Sequence, residues 1–422
     1  MVTTAAVFSN TRDVAAPPLL FCAAAGLFFS DVFFSQYPNT IYLIYGLILF
    51  AIWAASQVYG FPNGTRRTHS QLTNQDLLSS LKIPTATLWL LSLPGLLANI
   101  KLVQMFGGPI EYLMAAKYGT RNFYGLGPIK TAISTIYPIG LCYFAYYICV
   151  PRRSRLDSVL FVAHMLVVLS MALLTLSRGT LLTHFVYMSL IWHVAIRKVS
   201  VPRFAILLTT ALIAAGFYGV LRETFSFTDG QFQTGLATTE KEFKTEWMEF
   251  GTFPLQAVIR NQNDVDRLFG KTYLTVITNV IPRRVWPEKP NPGGVIFTRQ
   301  YVPGLYDEYS DYTTGLFPEA IMNFGLLGGV AVGFLALFAL TYQISKYHIQ
   351  EFVRGVSPIR DDAAIRKVVI YVQVLWTAPL YLTGEFTNLT IGLSIRILVY
   401  VVFFWSLRLL RWQPSKRLSA AS

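Results

Sequence analysis

The sequence predicts an all-α integral membrane protein with about ten transmembrane helices and one large extracytoplasmic loop. Three observations support this fold class: the composition, the spacing of the apolar runs and the placement of the basic residues. Of the 422 residues, 53% are hydrophobic and only 14% are charged, and the mean hydropathy is +0.46. This usage lies well on the apolar side of ordinary soluble domains.

Ten apolar runs come close to the length that a membrane helix needs, which is about 20 residues. Helices are the expected form because a spanning helix satisfies its own backbone hydrogen bonds in lipid. The first run is short, and only Ser177, Arg178 and Gly179 separate the fifth run from the sixth. The runs cover residues 17–34, 40–61, 83–103, 128–150, 157–176, 179–196, 203–221, 320–343, 367–384 and 389–410.

The basic residues predict the orientation, because Lys and Arg accumulate in short cytoplasmic loops. With ten spans, the majority of the 35 Lys and Arg residues share one side of the membrane. Both termini are therefore expected in the cytoplasm. The formal charge of +13 then reflects membrane orientation and does not point to a nucleic-acid partner. The segments on this side are the N-terminus, 62–82, 151–156, 197–203, 344–367 and the C-terminus.

Residues 222–318, called the external segment below, form a long polar interval between apolar runs. Loops of this length are usually functional or disordered. This one is rich in aromatic and charged residues, so we expect it to carry the working face of the protein on the periplasmic side. The chain thus divides into an N-terminal membrane bundle (1–221), the external segment (222–318), a C-terminal bundle (319–410) and a basic cytoplasmic tail (411–422).

Arg178 is a candidate anion-binding residue at the outer end of the fifth and sixth runs. A guanidinium stays charged and offers a planar fork of donors that suits a phosphate or diphosphate. Gly179 would let a ligand or backbone approach closely. The alternative is an arginine that extends to the lipid head groups and has no ligand.

Arg283 and Arg284 lie in a proline-rich stretch of the external segment, between Pro282 and Trp286. Prolines restrict the backbone and lower the entropic cost of holding the arginines in place. Such a loop suits an anionic, lipid-linked substrate, although it could also be a structural loop with surface charges. Arg260, in the middle of the segment, is a weaker candidate of the same kind.

Glu319 lies where the external segment returns to the membrane. Pro318 is well placed to open a helix, which would put Glu319 in its first turn. A carboxylate there is favoured by the helix dipole by about 0.3–1 kcal/mol. Glu319 is either a surface group that complements the dipole or a partly buried carboxylate that is tuned for proton abstraction.

Aromatic residues fill the external segment, and Trp286 and Tyr301 are the candidates for sugar binding. Their flat apolar faces and polar groups suit stacking on sugar rings. A small hydrophobic core or an interfacial aromatic belt would also explain them. The histidines stand singly and no Cys/His cluster is present in the sequence, so we expect neither a metal ion nor a cofactor.

In three local patterns the chain resembles the Wzy-type O-antigen and exopolysaccharide polymerases, which are related to the O-antigen ligases. The first pattern is Ser177-Arg178-Gly179 after the fifth run. The second is the stretch from Tyr273 through 281–290, which contains both candidate arginines. The third is Gly315, Glu319 and 323–325 leading into the next run. The resemblance covers residues 160–335, and the flanking runs match in hydropathy alone.

The resemblance implies a metal-independent, membrane-embedded glycosyltransferase of the bacterial inner membrane. It would polymerise undecaprenyl-diphosphate-linked oligosaccharide repeat units into a surface polysaccharide or lipopolysaccharide, alongside a flippase and a chain-length regulator. Arg178, Arg283, Arg284 and Arg260 would hold the donor diphosphate and stabilise its leaving charge. Glu319 would accept or orient the proton of the attacking hydroxyl.

Other functions remain open at the level of the sequence. The ligases that the chain resembles have a histidine in their large external loop, and residues 222–318 contain none. An O-antigen ligase-like or peptidoglycan-type glycosyltransferase is the nearest alternative. A lipid-linked oligosaccharide flippase and a structural subunit of an export machine are the others.

Overall fold

The structure is a computed structural model that describes most, but not all, of the chain. Statements about the structure below refer to these residues. They are 13–59, 81–118, 125–175, 177–200, 225–228, 231–234, 251–279, 285–305, 312–354 and 361–411, with a few isolated positions between and before them.

Seven of the described helices are long and apolar enough to cross a membrane, which confirms a helical membrane protein. They coincide with the second to fifth and the eighth to tenth apolar runs. The first apolar run forms a helix that is too short to belong to these seven. The sixth run also forms a helix, which is not one of the seven. The seventh run lies largely outside the described residues. Ten spans therefore stay a prediction. The seven are Asn39–Tyr59, Thr85–Met105, Gly127–Cys149, Arg155–Leu174, Leu316–Val353, Asp362–Leu380 and Phe386–Leu410.

The elements are named here in chain order. The helices are α1 (Pro17–Phe28), α2 (Asn39–Ser56), α3 (Thr85–Met105), α4 (Pro109–Tyr118), α5 (Gly127–Ser134), α6 (Ile136–Cys149), α7 (Arg155–Leu174), α8 (Arg178–Ala195), α9 (Thr252–Asn261), α10 (Lys271–Thr278), α11 (Gly293–Tyr301), α12 (Leu316–His348), α13 (Asp362–Leu380) and α14 (Phe386–Arg411). A short antiparallel hairpin, β1 (Phe225–Thr228) and β2 (Gln231–Thr234), adds strands to the predicted all-α fold.

Several helices begin at residues whose side chains cap the free backbone N–H groups. Ser154 and Asp157 form a reciprocal capping box at the start of α7. The Ser177 hydroxyl accepts a hydrogen bond from the N–H of Thr180 and opens α8. Such caps contribute about 1 kcal/mol each. The serine before Arg178 therefore marks a helix start and places Arg178 as the first residue of α8.

The long helix α12 packs along α2, α1 and the helix α9 of the external segment. A glycine permits a close contact within α12 itself: a Cβ at Gly333 would lie 2.9 Å from the ring of Phe317 in the same helix. Large buried rings fill the space between α6 and α14, among them Tyr146 and Tyr400. Small residues against large rings produce tight helix packing without a hydrophobic driving force in lipid.

One end of the bundle holds a buried polar network centred on Asp13. His193 Nε2 lies 2.8 Å from Asp13 Oδ1, and Lys198 Nζ lies 2.7 Å from Oδ2. The N–H of Val199 donates to His193 Nδ1 at 3.0 Å, so Nε2 carries the imidazole proton and donates to Asp13. His348, from the far end of α12, lies 3.8 Å from the same carboxylate. The N-terminal segment, the end of α8 and the end of α12 thus meet at one end of the bundle.

The surroundings of Asp13 determine its protonation. Burial alone would raise the pKa of this carboxyl group, but the hydrogen bond with His193, the nearby ring of His348 and the charge of Lys198 outweigh it. The net effect is a pKa well below the ordinary value of Asp. Asp13 is therefore an anion at every physiological pH and serves as the fixed negative charge of this end.

Candidate functional site

The external segment folds back onto the bundle through three short helices, α9, α10 and α11. The N–H of Gly251, just before α9, donates to the carbonyl of Phe28 at the end of α1 at 2.9 Å. The hydroxyl of Thr252 donates to the buried carboxylate of Asp31. α9 then packs against α12 and α11, and α10 lies against α14 and α12. These contacts bring the external segment to the N-terminal half of α12.

Glu319 is fully buried in the first turn of α12, the position that Pro318 predicts. Its Oε2 accepts hydrogen bonds from the N–H of Phe386 at 3.1 Å and the hydroxyl of Thr314 at 3.3 Å. On the other side the carboxylate rests against Gly293, where a Cβ would lie 2.9 Å from Oε1. Glu319 therefore joins the starts of α11, α12 and α14.

Three helix N-termini meet around the buried carboxylate, and their partial positive charge offsets part of the cost of burying it. Each of the three helices directs its N-terminus, with unpaired N–H groups and a partial positive charge, towards the same region. Oε1 of Glu319 has no hydrogen-bond partner among the described residues. A buried acceptor without a partner is costly, so the position of this oxygen needs an explanation beyond helix packing. In this arrangement its access is closed by Gly293.

Asn323 continues the polar contacts one turn further along α12. Its amide nitrogen donates to Thr272 Oγ1 at 2.7 Å and to the carbonyl of Glu319 at 2.8 Å. Its amide oxygen accepts from the N–H of Gly270 at 2.8 Å. A buried amide with all these bonds satisfied holds α10 of the external segment in one position against the membrane helix.

The helix α12 is interrupted at Gly325, which has φ 75° and ψ 174°. These angles lie in a region that is essentially restricted to glycine. The interruption frees the carbonyls of Met322 and Asn323, which accept the N–H groups of Leu268 and Phe269 at 3.1 and 3.0 Å. Phe269 is held at φ 47° in consequence. The loop before α10 therefore inserts its backbone into the broken helix.

Arg267 covers this interruption. A Cβ at position 325 would lie 2.9 Å from its Nε and 3.2 Å from Nη2, so the guanidinium lies directly on the glycine. Arg267 is exposed, and no described acidic side chain forms an ion pair with it. Broken membrane helices expose half-helix N-termini that favour anionic groups of substrates. An exposed guanidinium and a helix break thus coincide at Gly325, an arrangement that favours an anionic ligand.

Apolar side chains are exposed close to Arg267 along the chain. Phe269 is 75% exposed, Ile277 72% and Val285 75%. Exposed apolar groups on a segment that packs against spanning helices face the lipid or its interface. The described external face thus combines a cation with an apolar surface, as a phosphate on a lipid chain would require.

Not all of the predicted site residues can be placed. Arg283 and Arg284 lie outside the described residues, and for Arg178 only the backbone is described. Arg260 is exposed near the end of α9. Their roles in diphosphate binding stay predictions, as does the role of Glu319 as proton acceptor.

The two aromatic candidates differ in environment. Trp286 is 40% exposed and is free to stack on a ligand. Tyr301 is only 6% exposed and its ring stacks on Phe297, with centroids 5.9 Å apart. Burial raises the pKa of its hydroxyl. Tyr301 thus packs inside the external segment, so of the two Trp286 is the better placed for sugar stacking.

Three functional contacts were missed by the sequence analysis: those of Arg267, Gly293 and Lys289. Lys289 is 8% exposed, and its ammonium donates to the carbonyl of Ile281 at 2.8 Å and to both oxygens of Asn279 at 3.2 and 3.3 Å. It ties together the two ends of the loop that carries Arg283 and Arg284. The only feature of the sequence that could have indicated the contact of Lys289 is its position between Pro287 and Pro290.

In the described part of the chain, no three His, Cys, Asp or Glu side chains converge in a way that could hold a metal ion. A separate polar pair, His164 and Ser92, joins α7 and α3 at 2.8 Å. The Ser92 hydroxyl also donates to the carbonyl of Leu88, so the pair joins two membrane helices.

Comparison with known proteins finds no match: no protein-family model, curated protein or solved structure is similar to this chain at a significant level. The functional argument therefore rests on the residues themselves and on the local patterns noted above.

Proposed function

We propose that this protein is a polysaccharide polymerase, a membrane glycosyltransferase that joins undecaprenyl-diphosphate-linked oligosaccharide repeat units at the outer face of a bacterial inner membrane. In this proposal both termini are cytoplasmic and the external segment is periplasmic. The observation that carries it is the position of Arg267 on the interrupted helix α12, next to exposed apolar residues of the same segment. We infer the type of reaction from the three local sequence patterns that resemble those of the polymerases.

The donor substrate accounts for this combination of features. Undecaprenyl diphosphate pairs a doubly phosphorylated head with a long apolar chain that stays in the membrane. Arg267, together with Arg178, Arg260, Arg283 and Arg284, supplies cations for the diphosphate. Phe269, Leu274 and Ile277 supply an apolar surface for the first isoprene units. Fixed cations outside bulk water stabilise charge that develops on a leaving group.

The reaction is a displacement at the anomeric carbon of the donor chain. The bond from that carbon to the diphosphate oxygen breaks, and a bond to a hydroxyl oxygen of the acceptor repeat unit forms. The electron pair leaves with undecaprenyl diphosphate, whose added negative charge the arginines offset. The hydroxyl proton passes to a base, for which Glu319 is the candidate once its contact with Gly293 opens.

The glycan ladder of a deletion strain tests the function. We expect the strain to carry single capped repeat units, and wild-type protein to restore the full ladder. Arg267→Ala and Arg283→Ala should fail to restore it at normal protein levels. Arg299→Ala, at an exposed arginine in the last turn of α11, is the matched control.

Other outcomes would overturn the proposal. Complete loss of capped glycan in the deletion strain would point to a flippase or a ligase. An unchanged ladder would place the protein in another pathway. Failure of the purified protein to convert a purified lipid-linked repeat unit into longer chains would favour a structural subunit over an enzyme.

A further inference from the structure

A pocket of about 300 Å³ opens at the end of the bundle that carries the Asp13 network, away from the external segment. Its walls come from α6 and α8 and include Phe144, Phe185 and Trp192. Phe185 and Trp192 are 46% and 44% exposed. A membrane protein that exposes such rings at the end of a bundle presents them to lipid chains at the interface.

The rim of this pocket is basic. Arg197 and Arg203 line it and are both exposed. Lys198 also lines it, but its ammonium is already paired with Asp13 at 2.7 Å. No described carboxylate forms an ion pair with either arginine. The rim therefore carries two guanidinium groups whose charge is not balanced by any of the described residues.

From this combination we propose that the pocket is a binding site for one anionic phospholipid, with its phosphate between Arg197 and Arg203 and an acyl chain against Phe185 and Trp192. Basic pockets between membrane helices on the positively charged side commonly take anionic head groups. Guanidinium groups are suited to phosphate oxygens because of their planar donors. This site is separate from the proposed diphosphate site and does not depend on the proposed function.

The lipid would have a structural effect on α8. Arg197 follows the C-terminus of this helix, where its N–H bonds back to the carbonyl of Trp192 at 3.2 Å. The next residue but one, Val199, donates to His193 in the Asp13 network. A lipid phosphate on Arg197 would thus fix the segment that closes this network, so binding should also raise the melting temperature.

Native mass spectrometry of the full-length protein in detergent tests the site directly. Dioleoyl phosphatidylglycerol is the probe and dioleoyl phosphatidylcholine is the zwitterionic reference. Each basic residue near the head group strengthens the binding of an anionic lipid by about fivefold. The double variant Arg197→Gln/Arg203→Gln should therefore weaken phosphatidylglycerol binding by roughly 25-fold. Binding of phosphatidylcholine should change little.

Two further variants separate the pocket from general surface charge. Lys346→Gln/Arg366→Gln removes two exposed cations of the same end outside the pocket and should leave lipid binding within about twofold of wild type. Ser189→Trp fills the pocket without changing charge and should also abolish tight binding.

Three results would overturn the proposal. An equal loss in the Lys346/Arg366 variant would mean diffuse electrostatic attraction. Unchanged binding in Ser189→Trp would show that the pocket walls take no part. Displacement of the lipid by an equal concentration of inorganic phosphate would assign the site to a soluble phosphate ligand.

Discussion

Glu319 and Gly293 are in direct contact across the boundary between the external segment and the membrane bundle. A methyl group at position 293 would lie 2.9 Å from Oε1 and 3.0 Å from the carboxyl carbon of Glu319. This contact closes the one face of the carboxylate that has no hydrogen-bond donor. It therefore makes α11 the element that controls access to Glu319.

Gly293→Ala should destabilise the protein, because the added methyl cannot fit beside the buried carboxylate. Overpacking of this kind costs about 1–3 kcal/mol, which thermal unfolding in detergent would detect as a lower melting temperature. Gly304→Ala is the control, since nothing lies within 4 Å of a Cβ there.

A shorter acidic side chain at position 319 should relieve the overpacking that Gly293→Ala causes. In the double variant Gly293→Ala/Glu319→Asp the carboxylate retracts by one methylene, so the loss should be smaller than the sum of the two single losses. Strictly additive losses would mean that the two residues are not coupled through this contact.

Glu319→Gln should slow glycosyl transfer while leaving the fold and donor binding nearly intact. The amide oxygen of Gln still accepts from the N–H of Phe386 and the hydroxyl of Thr314, but an amide cannot take up a proton. General bases contribute about 10²–10⁴-fold to rate. Single-turnover polymerisation and donor-binding assays on purified protein would separate the two effects.

A loss of stability without a loss of rate in Glu319→Gln would indicate a different role for this residue. If Glu319→Gln lowers the melting temperature and leaves the rate per folded molecule unchanged, Glu319 is a structural carboxylate that joins helix N-termini. That result would remove the proton-acceptor role and leave the arginine assignment untouched.

Gly325→Ala should abolish polymer formation and destabilise the protein. Alanine does not adopt φ 75° with ψ 174°, and its methyl would meet the guanidinium of Arg267 at 2.9 Å. Strained backbone of this type costs about 1–3 kcal/mol. Gly46→Ala, in α2 with nothing within 4 Å, should leave both properties unchanged.

Arg267 can be tested independently of the helix break. Arg267→Ala leaves Gly325 unchanged, so it should lose polymer without a large fall in melting temperature. A full glycan ladder with Arg267→Ala would remove this residue from the diphosphate site.

The sequence was sufficient to locate most of the membrane helices, because twenty consecutive apolar residues are a strong and local signal. It also placed Glu319 in a first helical turn, since Pro318 and the change in hydropathy both mark that point. Burial of Glu319 could not be foreseen, because it depends on Gly293 and Phe386, which are distant in sequence. The neighbouring residues also do not indicate that the helix breaks at Gly325, because all the other residues of that apolar run are compatible with a helix.

Arg267 shows the same limit at the candidate site. In the sequence it is one arginine among several in a polar segment. It becomes distinctive only when the carbonyls of Met322 and Asn323 are freed by a helix break and bind the backbone beside it. The sequence patterns therefore point to arginines of this segment in general, and Arg267 stands out among them only in the tertiary structure.

Lys289→Met should disorder the loop that carries Arg283 and Arg284. Lys289 supplies three charge-assisted hydrogen bonds to oxygens of Asn279 and Ile281, and bonds of this type contribute about 1.5–3 kcal/mol each. We expect faster proteolytic cleavage within 280–290 and shorter glycan chains. Lys271→Met, an exposed lysine on α10, is the control, and equal cleavage rates in the two variants would contradict this role.

Asp13, at the other end of the bundle, should make the stability of the protein depend on pH. Asp13→Asn should destabilise the protein at pH 7 by about 1.5–3 kcal/mol, because the amide nitrogen would face either the ammonium of Lys198 or the Nε2–H of His193. Both of those groups are donors, and Asp13 is only 4% exposed. Asp266→Asn, at an exposed carboxylate of the external segment, should have little effect.

The difference between wild type and Asp13→Asn should shrink as the pH falls. The pKa of Asp13 in the folded protein is lowered, so its stabilising effect is complete above the unfolded-state pKa of about 3.9. It is lost as the pH decreases below that value towards the folded-state pKa. Melting temperatures measured from pH 7 down to about pH 3 should therefore differ by a constant amount above about pH 5 and begin to converge below about pH 4. A difference that stays constant over this range would show that the destabilisation comes from packing and not from the charge of Asp13.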